Sequence, residues 1–366
     1  MRILLTGGGT GGHVFPGIAV AREWMKNTEV ELLYVGKKNG PEAKWVPEAG
    51  IPFAGITASG MPRSLTPRLF GFVADLARGL GESGRLVSAF RPDAVFSTGG
   101  YVSVPVSLAA ALQEVPVGLF EPNVQPGLAA RLLGIFSKRI FVGFEETLAH
   151  FSKRRSEWSG IPVREEILSA EKRKSREVFG LNPEAPTVLM LGGSQGARSL
   201  NWLMVQALKF LGQGDHPAQA ILMTGMVDYK ATVDELEKCP LKVVLRPFIA
   251  NIHEAYAASD LVVSRSGAMT CAELTSRSLP ALFIPYPHAS AHQEKNARAL
   301  EKAGAALVFR EEELDEDVLC QTLISLLSDN EKLKAMGRAA GTLARPGAAR
   351  QIADGMIRLA QQRKNE

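Results

Sequence analysis

Arg2-Ile-Leu-Leu-Thr6 runs directly into Gly7-Gly-Gly-Thr-Gly-Gly-His13, and much later Thr187-Val-Leu-Met-Leu191 runs into Gly192-Gly-Ser-Gln-Gly-Ala-Arg198. Each is a short apolar run, then glycines, then a helix-like stretch. A buried parallel strand that ends in such a turn aims backbone N–H groups, and a helix N-terminus, at whatever lies above it. One such turn is a phosphate-binding candidate. Two of them, at matching places in the two halves, predict two nucleotide-type domains that face each other across a cleft.

The intervening sequence keeps the alternation. Strand candidates in the first half are 2–6, 30–35, 94–97, 116–120 and 139–142; helix candidates are 16–26, 40–49, 67–89, 103–113 and 126–134. The second half offers strands near 187–191, 219–224, 242–245, 260–263, 281–284 and 306–309, with helices between. Alternating β and α elements predict a doubly wound parallel sheet in each half. The expected division falls within Gly160-Ile-Pro-Val-Arg164: an N-terminal domain over 1–162 and a C-terminal domain over 163–346. Arg345-Pro-Gly347 breaks the chain before an amphipathic helix over 347–366, with Ile352, Met356 and Leu359 among its apolar positions.

A chain of 366 residues suits two domains better than one core. Apolar content is 46% and charge 22%, ordinary for a globular protein. Cys239, Cys271 and Cys320 are scattered, so the expectation is a reducing compartment with no disulfide framework or zinc spacing. The opening strand leaves no signal-peptide pattern, and no apolar run reaches membrane-span length. The net charge of +4 lies wholly in residues 1–160, with 17 Lys/Arg against 13 Asp/Glu, leaving 25 of each in the remainder. That excess is too small to argue for nucleic acid. A basic patch meeting anionic lipid stays open.

Gly7, Gly9 and Gly12 formally satisfy GxGxxG, but the second strand ends Gly36-Lys-Lys38, where a dinucleotide enzyme needs an acid for the ribose diol. The turn therefore reads as an anion cradle rather than an NAD site. His13 stands where a helix begins, and the field of a helix N-terminus favours a neutral imidazole. It is a candidate general base or, equally, a substrate-positioning residue. Gly192-Gly-Ser194 lacks the Gly-Lys-Ser/Thr of a P-loop, which suits a diphosphate that is bound rather than cleaved at a terminal phosphoryl group. Ser264-Arg-Ser-Gly-Ala-Met-Thr-Cys-Ala-Glu273 is another strand-to-helix turn, with Glu273 placed to accept from a ribose cis-diol. Cys271 reads as a packing residue. His288 and His292 lie four apart after prolines, a doubtful metal geometry. Gln293 and Asn296 share a helix face and could read sugar hydroxyls. Asp315-Glu-Asp317 matches a short metal-transferase pattern but reads better as a solvated helix start.

Taken in order, Gly8-Gly-Thr-Gly-Gly-His13 with Pro16-Gly-Ile-Ala19, Gly99-Gly-Tyr101, Gly192 to Arg198, Arg265-Ser-Gly-Ala268 through Glu273, and His288 with Gln293 and Asn296 resemble the MurG family. That family transfers N-acetylglucosamine from UDP-N-acetylglucosamine to lipid I. The resemblance covers nearly the whole chain. It implies a GT-B glycosyltransferase fold, two Rossmann-like domains with the C-terminal helix packing back on the first. It implies a place in peptidoglycan synthesis, and so in cell shape and division, as a peripheral protein on the cytoplasmic leaflet of the plasma membrane. It assigns Ser194 to the diphosphate, Ile249 to the uracil and Arg164 to the nucleotide. Ala268, Met269, Thr270, Cys271, Ala272 and Glu273 would wrap the diphosphate and ribose, and Gln293 would read the sugar. Thr10, Gly11, Gly12 and Asn123 would border the sugar from the first domain, with His13 and Tyr101 facing the acceptor. Phe120-Glu-Pro-Asn123 and Gly160-Ile-Pro-Val-Arg164 depart from the family's His-Glu-Gln-Asn and Gly-Asn-Pro-Val-Arg.

The expected chemistry is one inverting displacement at C1 by the 4-hydroxyl of N-acetylmuramic acid, with no metal and no other cofactor. Arg63 to Arg78 mixes apolar residues with arginines, as an interfacial helix does. Leu69, Phe70 and Phe72 are expected at the surface, with Val73 and Leu76 covering the sheet. The alternatives are another GT-B glycolipid glycosyltransferase, a UDP-N-acetylglucosamine epimerase, or a non-catalytic UDP-sugar-binding protein.

Overall fold

The structure, a computed structural model, describes residues 1–365 apart from 27–28, 63–67, 193–197, 214–217 and 288–291. The chain divides into two units, Met1–Val163 with Arg345–Glu366, and Arg164–Ala344.

In the first unit β1 (Arg2–Thr6), with its apolar middle Ile3-Leu-Leu5, leads through the glycine turn to α1 (Gly11–Met25). There follow β2 (Glu31–Lys37), α2 (Glu42–Glu48), β3 (Phe53–Ile56), α3 (Arg68–Phe90), β4 (Ala94–Ser97) and α4 (Ser103–Leu112). The unit continues through β5 (Val117–Glu121), α5 (Leu128–Phe136), β6 (Arg139–Val142) and β7 (Ser156–Trp158). All strands pair in parallel, in the order β3-β2-β1-β4-β5-β6-β7. Helices cover both faces of such a sheet, so its central strands are apolar throughout rather than alternating. Leu4, Val35, Val95 and Val117 meet Val106 and Ala109 of α4 in one core.

The second unit begins with α6 (Glu165–Ser169) and α7 (Lys172–Val178). It runs through β8 (Thr187–Leu191), α8 (Arg198–Leu211), β9 (Gln219–Met223), α9 (Tyr229–Leu236), β10 (Lys242–Arg246), α10 (Ile252–Ala258) and β11 (Leu261–Ser264). It ends with α11 (Ala268–Ser276), β12 (Ala281–Phe283), α12 (His292–Lys302), β13 (Ala306–Val308), α13 (Glu316–Ser328) and α14 (Asn330–Thr342). The parallel order β10-β9-β8-β11-β12-β13 repeats that of the first six strands. In both units the order reverses beside the first strand, where a doubly wound sheet places its ligands.

The last helix, α15 (Ala348–Asn365), belongs to the first unit. Trp24 Nε1 donates to Ala353 O at 3.2 Å. A Cβ on Gly118 of β5 would meet Met356 Sδ, so the methionine packs directly against the bare glycine backbone of β5. Ile352 and Met356 are fully buried. No helix among the described residues is long and apolar enough to cross a membrane.

Two strands escaped the sequence reading. β3 and β7 lie at opposite edges of their sheet, and β7 is half-exposed along its length. Edge strands carry little of the apolar signal that marks central ones. Helix α1 also starts at Gly11, five residues before the expected position, because the glycines already belong to it and Pro16 sits inside it.

Candidate active site

The first glycine turn is clamped from three sides. The buried Thr98 hydroxyl donates to His13 O at 2.6 Å and sits 3.3 Å from Thr6 O. Tyr34 donates its hydroxyl to Gly7 O at 3.2 Å; burial pushes its pKa well up, which keeps the group a donor. Beneath the turn, Glu42 is fully buried and accepts from Gly9 N at 3.1 Å and Lys37 N at 2.8 Å. A Cβ on Gly8 would come 2.3 Å from Glu42 Oε1. The expected anion cradle is thus corrected in part: the Gly9 N–H meets a carboxylate of the protein's own, and that buried acid opposes a second anion there.

His13 lies in the first turn of α1 rather than before it. Its Nδ1 is 3.0 Å from Thr10 Oγ1. Thr10 occupies the N-cap position, yet its side chain makes no cap bond. Gly99 and Gly100 have φ of +83° and +79°; a Cβ on Gly99 would lie 3.3 Å from His13 Cδ2, and one on Gly100 would lie 2.7 Å from Gly8 O. The Gly99-Gly100 turn therefore forms a flat backbone wall for the imidazole. If Nδ1–H donates to Thr10, the lone pair is on Nε2, the form a general base needs.

Tyr101 closes over Gly9: a Cβ there would lie 2.9 Å from Tyr101 Cε1. It also lines an apolar cavity of about 220 Å³ with Met61, Phe72, Leu76 and Leu132. Asn123 is held by Glu121, which is 4% exposed and accepts from Asn123 N at 2.8 Å, Asn123 Nδ2 at 2.9 Å and Gly127 N at 3.2 Å. Burial raises the pKa of Glu121 against these bonds.

In the second unit, α11 begins behind Gly267 with no side-chain cap and no acid in its first turn. The N–H groups of a helix's first turn have no intrahelical acceptor, and the helix dipole favours an anion beside them. Ala268 and Cys271 are buried, while Met269, Thr270 and Ala272 are half-buried. Burial drives the Cys271 thiol pKa far up, so it packs rather than reacts. Glu273 is 8% exposed; Tyr256 donates to its Oε2 at 2.9 Å, and Arg164 NH2 lies 3.6 Å from its Oε1. Burial raises the pKa of Glu273, and Arg164 and Tyr256 pull it back.

Arg265 braces the neighbouring loop. It donates to Ile284 O at 3.0 Å, pairs with Glu311 at 2.7 Å and lies over the Tyr286 ring at 5.5 Å. Gln293 accepts from Tyr286 N at 3.0 Å. Asn296 is fully buried and donates to Ser266 O at 3.3 Å, while Ser266 donates to Gln293 O at 2.8 Å. Asn296 therefore pins α12 to the β11–α11 turn and does not read sugar hydroxyls. Ile249 is buried just after β10. Ser194 and His288 lie outside the described residues. Asp315 caps α13 by accepting from Val318 N at 2.8 Å. Among the described residues, no three His, Cys, Asp or Glu side chains gather as a metal cluster.

The sequence reading missed Glu42 and Tyr256 and left Glu121 and Arg265 without roles. Glu121 and Arg265 lay inside quoted motifs and could have been noticed. Glu42 and Tyr256 meet their partners only after folding, 33 and 17 residues away. The surface patch also differs from expectation. Phe70 is 82% exposed, but Phe72 is half-buried in the apolar cavity and Val73 is 56% exposed rather than covering the sheet. Leu128 and Ile135 of α5 are exposed as well.

Residues 3–142 match the glycosyltransferase family 28 N-terminal domain, and residues 187–352 match the family 28 C-terminal domain. A UDP-N-acetylglucosamine–N-acetylmuramyl-(pentapeptide) pyrophosphoryl-undecaprenol N-acetylglucosamine transferase of Moorella thermoacetica is 44% identical over 361 residues, 96% of this chain and 97% of that one. The crystal structure of Acinetobacter baumannii MurG superposes with a TM-score of 0.79 at 27% identity, over 98% of this chain and 99% of that one. A UDP-GlcNAc 2-epimerase from Neisseria meningitidis, bound to UDP-GlcNAc, shares the fold with a TM-score of 0.69 at 13% identity, over 98% and 100% of the two chains.

Proposed function

Because the chain belongs to glycosyltransferase family 28 and, within it, to the MurG family, we infer that it transfers N-acetylglucosamine from UDP-N-acetylglucosamine to the N-acetylmuramyl-pentapeptide of lipid I, forming lipid II for peptidoglycan. The observation that carries the donor half is the uncapped start of α11 followed, on the same helix, by Glu273 held between Tyr256 and Arg164. A diphosphate suits the first feature. A ribose diol suits the second, since a carboxylate accepts from both hydroxyls.

In the reaction, O4 of N-acetylmuramic acid attacks C1 of N-acetylglucosamine. The C1–O bond to UDP breaks with inversion, and UDP leaves with the bonding electron pair. His13 Nε2 takes the O4 proton, with Thr10 fixing the tautomer at Nδ1. Helix N-terminal N–H groups stabilise the charge that grows on the leaving diphosphate, so no metal is required. Ser194 and the rest of its glycine turn would contribute in the same way. Thr10, Gly11, Gly12 and Asn123 would border the sugars, Tyr101 the acceptor, and Gln293 the N-acetylglucosamine.

The acceptor hangs from a lipid, and we take the exposed apolar side chains Phe70, Val73, Leu128 and Ile135 of the first unit as one face. This face would rest on the cytoplasmic leaflet as a peripheral contact. Replacing Phe70 and Leu128 together with serine is expected to weaken binding to anionic vesicles; unchanged binding would remove this patch from the reading.

The central test uses labelled UDP-N-acetylglucosamine and a short-chain lipid I analogue in EDTA. The expected products are a β-1,4 disaccharide and UDP. Binding without UDP release in the presence of acceptor would mean a sugar-nucleotide-binding protein instead. Epimerised sugar formed without acceptor would mean an epimerase. Activity that requires added magnesium would overturn the metal-free account.

A further inference from the structure

The second unit holds another cavity, of about 850 Å³, where β8, β11 and β12 begin, at the strand ends opposite the β11–α11 turn. Its volume suits a small ligand. Five cations line it, Lys172, Arg176, Arg277, Lys334 and Arg338, against two acids, Asp260 and Glu184. Asp260 is already satisfied: it pairs with Lys172, with Arg176 NH2 at 2.7 Å, and accepts from Thr187 N at 2.7 Å. Lys334 pairs with Glu331 at 3.0 Å. Among the described residues, Arg277 and Arg338 have no carboxylate within ion-pair distance.

Arg277 is the more telling of the two. One of its terminal nitrogens donates to Leu168 O at 3.0 Å, but its Nε–H is buried without a partner. Burial lowers its pKa, the sign of a guanidinium short of compensation. The geometry brings Arg338 to the same rim. A Cβ on Gly337 would lie 2.7 Å from Ser278 O, so α14 seats directly on the turn that carries Arg277. That turn is itself strained, with Ser278 at φ +53°.

A buried N–H without an acceptor is costly, and an anion beside this guanidinium, which has no carboxylate of its own, offsets its uncompensated charge. Guanidinium groups match phosphate oxygens in charge and in forked geometry. We propose that this cavity is a second ligand site, binding a small soluble phosphate-bearing anion between Arg277 and Arg338. Arg277 and Arg338 are not among the residues assigned to the sugar nucleotide; the two sites share only Tyr256, which lines this cavity and donates to Glu273.

Inorganic pyrophosphate is the probe, titrated calorimetrically into the full-length protein saturated with UDP so that the donor site is closed to it. One further binding event is expected. Arg338→Gln and Arg277→Gln should each weaken it about tenfold, the loss of one charge-assisted contact. Arg338 is exposed on α14, so its replacement leaves the core intact; unchanged UDP affinity and Tm verify this. Absence of pyrophosphate binding in the UDP-saturated protein would overturn the proposal. So would equal binding by Arg338→Gln. If Arg338→Gln instead lowers binding to anionic vesicles while pyrophosphate fails to bind, the groove meets a lipid headgroup and the soluble-ligand proposal is wrong.

Discussion

The two units share a strand order yet organise their ligand-side loops with opposite charges. In the first unit, buried carboxylates gather backbone N–H groups: Glu42 takes those of Gly9 and Lys37, and Glu121 those of Asn123 and Gly127. In the second, the Arg265 guanidinium gathers carbonyls, at Ile284 and Pro285, beside the start of α11, whose first N–H groups, like those of α1, have no side-chain cap. The same strand–turn–helix design thus sets carboxylates behind the loops of one unit and a guanidinium behind a loop of the other, the side where we propose that the donor diphosphate binds. A glycine-rich turn announces a close backbone approach. What approaches is decided by the side chain behind it.

If that contrast is right, His13 carries chemistry and Glu273 carries donor binding, and the two can be separated. His13→Ala should lower kcat by about 10²–10⁴, the usual contribution of a general base, with UDP affinity unchanged. Turnover assays at saturating donor check this, and near-normal kcat would leave His13 a positioning residue. Thr10→Val should lose a smaller part of the same activity by freeing the tautomer. Glu273→Gln should do the reverse, weakening UDP by roughly 10- to 100-fold through the loss of charge-assisted bonds to ribose. Equal effects of both substitutions on donor affinity would break the division of labour.

Glu42 tests the scaffold side directly. Replacing it with glutamine turns an acceptor of two N–H groups into a weaker acceptor carrying its own buried donor. About 1–3 kcal/mol of stability should be lost, read as a lower urea midpoint with UDP affinity unchanged. A loss of UDP affinity without destabilisation would mean that the first turn touches the donor anion after all.

Much of this architecture was legible because parallel central strands are apolar throughout and stop at glycine. All six strands of the second sheet were readable from their apolar middles, although only β8 runs straight into glycine. The short edge strand Ser156–Trp158 was not, since it is neither long nor buried. Motif spacing singled out His13 and Glu273 as candidates beside turns, while Arg164 entered only through the family resemblance. It misread Asn296, because a buried amide that donates to a backbone carbonyl has the same spacing as one that faces a sugar. It could not reveal Glu42 or Tyr256, whose roles arise from packing between elements distant in sequence. Spacing along a chain reports periodicity; it does not report which charge is buried beneath a loop.

The smallest effect is a pH dependence that differs in kind between the units. Burial raises the pKa of both Glu273 and Glu121 above the ordinary carboxylate value of 4.5. Each therefore binds a proton more tightly folded than unfolded. In the window between 4.5 and the raised value the native state holds more protons than the unfolded one, so each group's contribution to stability falls as pH rises. Ligand binding should run the other way for Glu273 alone, because only the carboxylate accepts from both ribose hydroxyls. Uridine brings no titrating phosphate into this range. Its affinity should rise with pH through a limb lying above 4.5, and Glu273→Gln should flatten that limb. Glu121→Gln should remove part of the pH dependence of unfolding and leave the uridine limb in place. A uridine limb that survives in Glu273→Gln, or vanishes in Glu121→Gln, would assign the ribose to a different carboxylate and undo the contrast between receptor and scaffold.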